Sequence, residues 1–78
     1  MRALNELAMG DVARVGRIKN TGGMKRRLMD LGLTKGAKVS CLFSAPGGSM
    51  RAYRVRQAVI ALRQKDAALV ELEEERHV

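Results

Sequence analysis

A chain of 78 residues makes one domain with a single small core, near the lower limit at which apolar burial alone sustains a fold. One cysteine forbids an internal disulfide, one histidine (His77) leaves no set for a zinc cluster, and two aromatics, Phe43 and Tyr53, leave no stacking platform for single-stranded bases. The net charge of +7 is uneven: residues 1–65 hold 14 Lys/Arg against 3 Asp/Glu, and residues 66–78 hold 1 against 5, so a basic body, suited to nucleic acid, an anionic membrane face or an acidic protein, precedes an acidic end.

In chain order, ALNELAMGD (3–11) pairs Leu4 with Leu7, with Asn5 as the expected cap of one helical turn that Gly10 ends. DVARVGRI (11–18) places Ala13 and Val15 on one face and breaks its alternation at Gly16, which predicts a strand with a bulge. KNTGG (19–23) is turn chemistry. A short helix is expected over about 23–31, burying Met24, Leu28 and Leu31 and turning Lys25, Arg26 and Arg27 outward, with Gly32 in the left-handed position that closes it. KVSCLFSA (38–45) alternates, with Val39, Cys41 and Phe43 expected inward, and APGGS (45–49) is a loop. MRAYRVR (50–56), with Tyr53 and Val55 inward and Arg54 and Arg56 outward, and VIALR (59–63) form a hairpin about a tight turn near Gln57. QKDA (64–67) makes a short turn, ALVEL (68–72) a last strand with Val70 and Leu72 inward, and residues 73–78 an acidic, frayed tail. About five short strands and one short helix, joined by loops too short for parallel crossovers, predict a mainly β protein: a small antiparallel barrel.

The helix breaks local rules. Its cations stand near the N-terminus and Asp30 near the C-terminus, both against the macrodipole, and an Arg26–Asp30 pair at i,i+4 is in the weaker order. Such a helix suits contact with something else, or plugs one end of the barrel with its apolar stripe. APGGSM lacks the Lys-Ser/Thr of a phosphate-binding loop. No Ser/His/Asp, Cys/His or paired-carboxylate set stands outside the acidic end, so no catalytic residue, metal site or cofactor is expected. Cys41 reads as a buried, inert thiol. The longest uncharged run, Val39 to Met50, has 12 residues broken by Pro46, Gly47 and Gly48, too few to span a bilayer. The start shows no secretory signal, and a cytoplasmic protein is the expectation.

The order of LNELAMGDVARVGRI, RRLMDLGLTKGAKV, SAPGG, YRVR and IALRQKDAALVEL, over residues 4 to 72, resembles the ferrous iron transport protein A (FeoA) family. The most specific elements are Arg26-Arg27-Leu28 with Asp30-Leu31-Gly32-Leu33 and Gly36, then Ala61-Leu62-Arg63 with Asp66-Ala67. The resemblance implies an SH3-like barrel, residues 1–72, in a bacterial or archaeal cytoplasm. It would be an accessory to the membrane ferrous iron transporter FeoB, reaching the inner membrane only through that partner. Two departures stand out: Ser49-Met50 replaces the usual Asp-Pro after APGG, and Gln57 and Ala58 stand where glycine is common.

The docking surface expected on this reading is Met24, Lys25, Arg26, Arg27, Met29, Asp30 and Leu33, with weak self-association through Met29 or Leu42 as a further expectation. The rival is a basic nucleic-acid-binding or iron-responsive regulatory barrel, drawing on Arg51, Arg54 and Arg56 but lacking a base-reading motif. A carrier of Fe2+ itself would have only tail carboxylates and His77, or ligands shared between two chains.

Overall fold

In the computed structural model, which describes residues 2–73, five antiparallel strands form one sheet in the order β4-β3-β2-β1-β5. They are β1 (Val12–Ile18), β2 (Lys38–Ser44), β3 (Met50–Val55), β4 (Ala58–Arg63) and β5 (Val70–Leu72). A 3-10 turn (Leu4–Glu6) precedes them, α1 (Gly22–Asp30) joins β1 to β2, and a single helical turn, α2 (Gln64–Ala67), joins β4 to β5.

The sheet curls because β1 serves two partners. Val12–Arg14 pair with β2, Val15–Ile18 pair with β5, and the register shifts between Val15 and Arg17, at the expected bulge. A Cβ on Gly16 would lie 3.2 Å from the backbone nitrogen of Glu73, so glycine lets the chain leaving β5 pass close to β1. Side chains from every strand then meet in one core: Val15, Val39, Tyr53, Val55, Val70 and Leu72 are fully buried, Ile60 and Leu62 of β4 nearly so, and Leu4, Leu7, Leu28 and Leu33 join them. Each such aliphatic side chain contributes about 1.5–3 kcal/mol when removed from water.

The alternation expected for β1, β3 and β5 is present: Ala13, Val15, Tyr53, Val55, Val70 and Leu72 are buried, and Arg54 and Arg56 are exposed. Arg56 and Gln57 form the two-residue turn of the β3–β4 hairpin, and Arg56 takes the left-handed φ of 55°.

Three expectations are corrected. Phe43 is 57% exposed rather than inward, because the β2–β3 register shifts between Cys41 and Phe43 and reverses the alternation after Cys41. Asn5 is not a cap. The cap position falls two residues earlier, at Ala3, whose backbone N–H donates to the Glu6 carboxylate at 2.9 Å. Residues 64–67 are helical rather than a plain turn, and Ala67 is buried. Of the expected tail, 73–78, Glu73 is held to β1, its N–H donating to the Arg14 carbonyl at 2.8 Å, and residues 74–78 lie outside the described residues.

Candidate functional site

α1 has a weak start and a well-made end. Thr21 occupies the N-cap in extended backbone but makes no side-chain cap, and no acid stands in the first turn. At the other end the Leu33 N–H donates to the Leu28 carbonyl at 2.9 Å and the Gly32 N–H to the Met29 carbonyl at 3.0 Å. Gly32 has a φ of 106°, so this is the paired-bond closure in which the residue after glycine packs on the last turn. Leu28 and Leu33 are accordingly both at 0% exposure.

That closure decides which expected site residues are available. Lys25, Arg26, Arg27, Met29 and Asp30 are exposed, while Met24 is half-buried against the core and Leu31 likewise. Leu33 is corrected: it is a core residue and presents nothing to a partner, because the closure of α1 turns it inward against Leu28. Gly22, Lys25, Arg26, Met29 and Asp30 line a shallow depression of about 350 Å³ on the outer side of the helix.

The electrostatics of this face are unbalanced. Among the described residues the ion pairs are Lys19–Glu71 at 3.6 Å and Arg63–Asp66 at 3.0 Å; the expected Arg26–Asp30 pair does not form. With the helix ending at Asp30, Arg27 falls in the last turn, where the macrodipole favours it, so of the three cations only Lys25, in the first turn, stands against the dipole, as Asp30 does at the other end. α1 therefore presents three cations that have no acidic partner among the described residues, around Met29, an apolar side chain 46% exposed.

Elsewhere the chemistry is structural. Cys41 is buried, with its thiol 4.0 Å from the Phe43 carbonyl oxygen. Among the described residues no three His, Cys, Asp or Glu side chains cluster as a metal site would require. Burial raises the Tyr53 phenol above its ordinary pKa, and the neighbouring Arg51 guanidinium draws it partly back. The Tyr53 hydroxyl donates to the Leu4 carbonyl at 3.4 Å and Arg51 to the Asn5 carbonyl, so both tie the first turn to β3. The sequence reads Asn20 as a turn residue, and the structure buries it. Its Nδ2 donates to the Asp66 carbonyl at 3.1 Å, joining the entry of α1 to α2, and its Oδ1 has no partner among the described residues. Turn propensity is local, and the contact spans 46 residues of sequence, so no local signal announces it.

The FeoA domain profile matches residues 2–74. Over 70 residues the chain is 31% identical to the Fe(2+) transport protein A/Fe(2+) transporter FeoB fusion protein of Porphyromonas gingivalis; the match takes in 90% of this chain and 8% of that protein. The FeoA protein of Chlorobium tepidum superposes with a TM-score of 0.86 at 34% identity, over 91% of this chain and 68% of that one. Stenotrophomonas maltophilia FeoA, solved with zinc and described as a procaryotic SH3 domain protein, gives 0.83 at 28% identity, over 94% and 91%. The barrel is thus SH3-like, as the sequence led one to expect, and no helix among the described residues is long and apolar enough to cross a membrane. With the profile spanning nearly the whole chain and relatives matching in both sequence and fold, the chain belongs to the FeoA family of ferrous iron transport-related proteins.

Proposed function

We propose that this domain serves ferrous iron uptake by docking on the cytoplasmic part of the transporter FeoB through the exposed side of α1, acting by contact and not by catalysis. The observation that carries this reading is the Porphyromonas gingivalis relative, whose name describes a fusion of transport protein A with FeoB in one chain. Covalent linkage holds two modules at a high effective concentration. A separate domain must obtain the same proximity from a surface, and α1 supplies the two ingredients: an apolar anchor in Met29, and steering charge in Lys25, Arg26 and Arg27. Asp30 sets one edge of the same depression. Docking of this kind places the domain on the cytoplasmic side of the inner membrane, at its periphery, through its partner.

Calorimetric titration against the cytoplasmic domain of the transporter tests the proposal. The triple reversal Lys25→Glu, Arg26→Glu, Arg27→Glu is expected to weaken binding by about tenfold or more at low ionic strength, and by less at 1 M salt, where charges farther apart than about 3 Å are screened. An affinity that is indifferent to the reversal at every salt concentration removes α1 from the interface.

A further inference from the structure

We propose that the outward face of β1, β2 and β3 is a second docking surface, built for an extended acidic protein segment that carries aliphatic side chains. The register makes the case. Arg14 lies directly opposite Lys38, and Val12 opposite Ser40, which in turn lies opposite Arg54. Val39 pairs with Val55, and Arg56, the turn residue that follows Val55, lines the same groove as Lys38. Three cations, Arg14, Lys38 and Arg56, thus form a cationic row next to one that runs Val12, Ser40, Arg54, Val59.

Folding does not reward either row. Like charges on facing strand positions repel, and among the described residues none of these cations has an acidic partner within ion-pair distance. Arg14 donates to the Gly36 carbonyl at 2.8 Å and Arg56 reaches Thr34 Oγ1 at 3.5 Å, which orients the two guanidinium groups without neutralising them. Arg56 does so from a left-handed backbone that non-glycine residues seldom adopt. Val12 and Val59 are each 54% exposed, so the second row carries apolar surface at both ends.

Shape selects the occupant. Val12, Lys38, Val39, Ser40, Arg54 and Arg56 line a groove of about 310 Å³. A groove receives a protruding side chain, whereas a lipid surface engages side chains that protrude from the protein. The chain's two aromatics, Tyr53 and Phe43, are absent from the lining, so bases find nothing to stack on. A peptide in extended form offers carboxylates on one side for the cationic row and an aliphatic side chain for Val12, at the spacing of a strand. This surface is separate from the outer face of α1, so each stands or falls alone.

The test maps backbone amide shifts of the full chain on addition of a short peptide alternating Glu and Val, of its Glu and Ser counterpart, of a generic DNA duplex and of phosphatidylserine vesicles. The expected result is that the Glu and Val peptide moves the amides of Val12, Lys38, Ser40 and Arg54, and that Arg54→Glu and Val12→Ser each weaken it about tenfold. Lys25→Glu on α1 should leave its affinity within about twofold. Unchanged thermal midpoints establish that the variants fold, and Lys38→Glu provides an independent reversal in the same row. The proposal is overturned if the Glu and Ser peptide, the duplex or the vesicles bind as tightly, if the moved amides lie on α1, or if the Glu and Val peptide does not bind.

Discussion

Leu33 and Met29 stand four positions apart and divide the labour of the helix region. Leu33 is wholly buried, so Leu33→Ala should cost about 2–5 kcal/mol, a large share of the stability of so small a domain. Met29→Ala leaves no cavity and should change stability by no more than about 0.5 kcal/mol while weakening transporter binding. Urea titrations of the two variants check the contrast, and a Met29→Ala loss as large as that of Leu33→Ala would place Met29 in the core. Tyr53 is the only tyrosine, so its absorbance reports one group. Its phenol should titrate above the usual value of about 10 in the folded protein and near it in urea. The folded state holds this proton more tightly than the unfolded one. The resulting stability is therefore complete below about pH 10 and is lost as pH rises through the folded pKa. A folded midpoint at or below the unfolded one would show that Tyr53 is not desolvated. At this scale Tyr53 and Val55 were legible as inward residues because Tyr53-Arg54-Val55-Arg56 alternates apolar with charged, whereas Leu33 was not, because chain closure and not helical periodicity turned it inward.

At the scale of elements, the helix closure and the bulges do most to place the site. Gly32 adopts a φ of 106°, and a Cβ there would lie 2.9 Å from the Arg56 Cδ, the flexible end of which can move aside. Gly32→Ala should thus destabilise by about 1–3 kcal/mol through backbone strain, read as a lower urea midpoint at unchanged slope. A neutral Gly32→Ala would mean that the turn after α1 tolerates another conformation. The strands, the helix and the β1 bulge were readable from alternation and glycine position. The β2 bulge was not, since no glycine marks it and it arises from pairing with β3, so Phe43 was assigned to the wrong face. The cross-strand rows on the outward face were hidden for the same reason. Lys38, Arg54 and Arg56 read as outward from their own strands, but which residue stands beside which is set by register, a non-local property.

For the molecule as a whole, nearly every buried side chain serves one core, and the proposed docking draws on surface shape and positive potential. The family and the SH3-like barrel were legible because several short motifs occur in a fixed order along almost the whole chain, each one weak alone. The cationic side of α1 was legible too, since Lys25, Arg26 and Arg27 are consecutive and only Leu28 beside them is needed inside. That it meets no acidic partner among the described residues was not, because the nearest acid in sequence, Asp30, is expected from its spacing to pair with Arg26. The most direct measurement is an amide shift map of the full chain titrated with the cytoplasmic domain of the transporter FeoB. Docking through α1 requires the largest changes at Gly22 to Leu31, with Met29 and Arg26 prominent. Saturable binding that leaves those amides unmoved would contradict it.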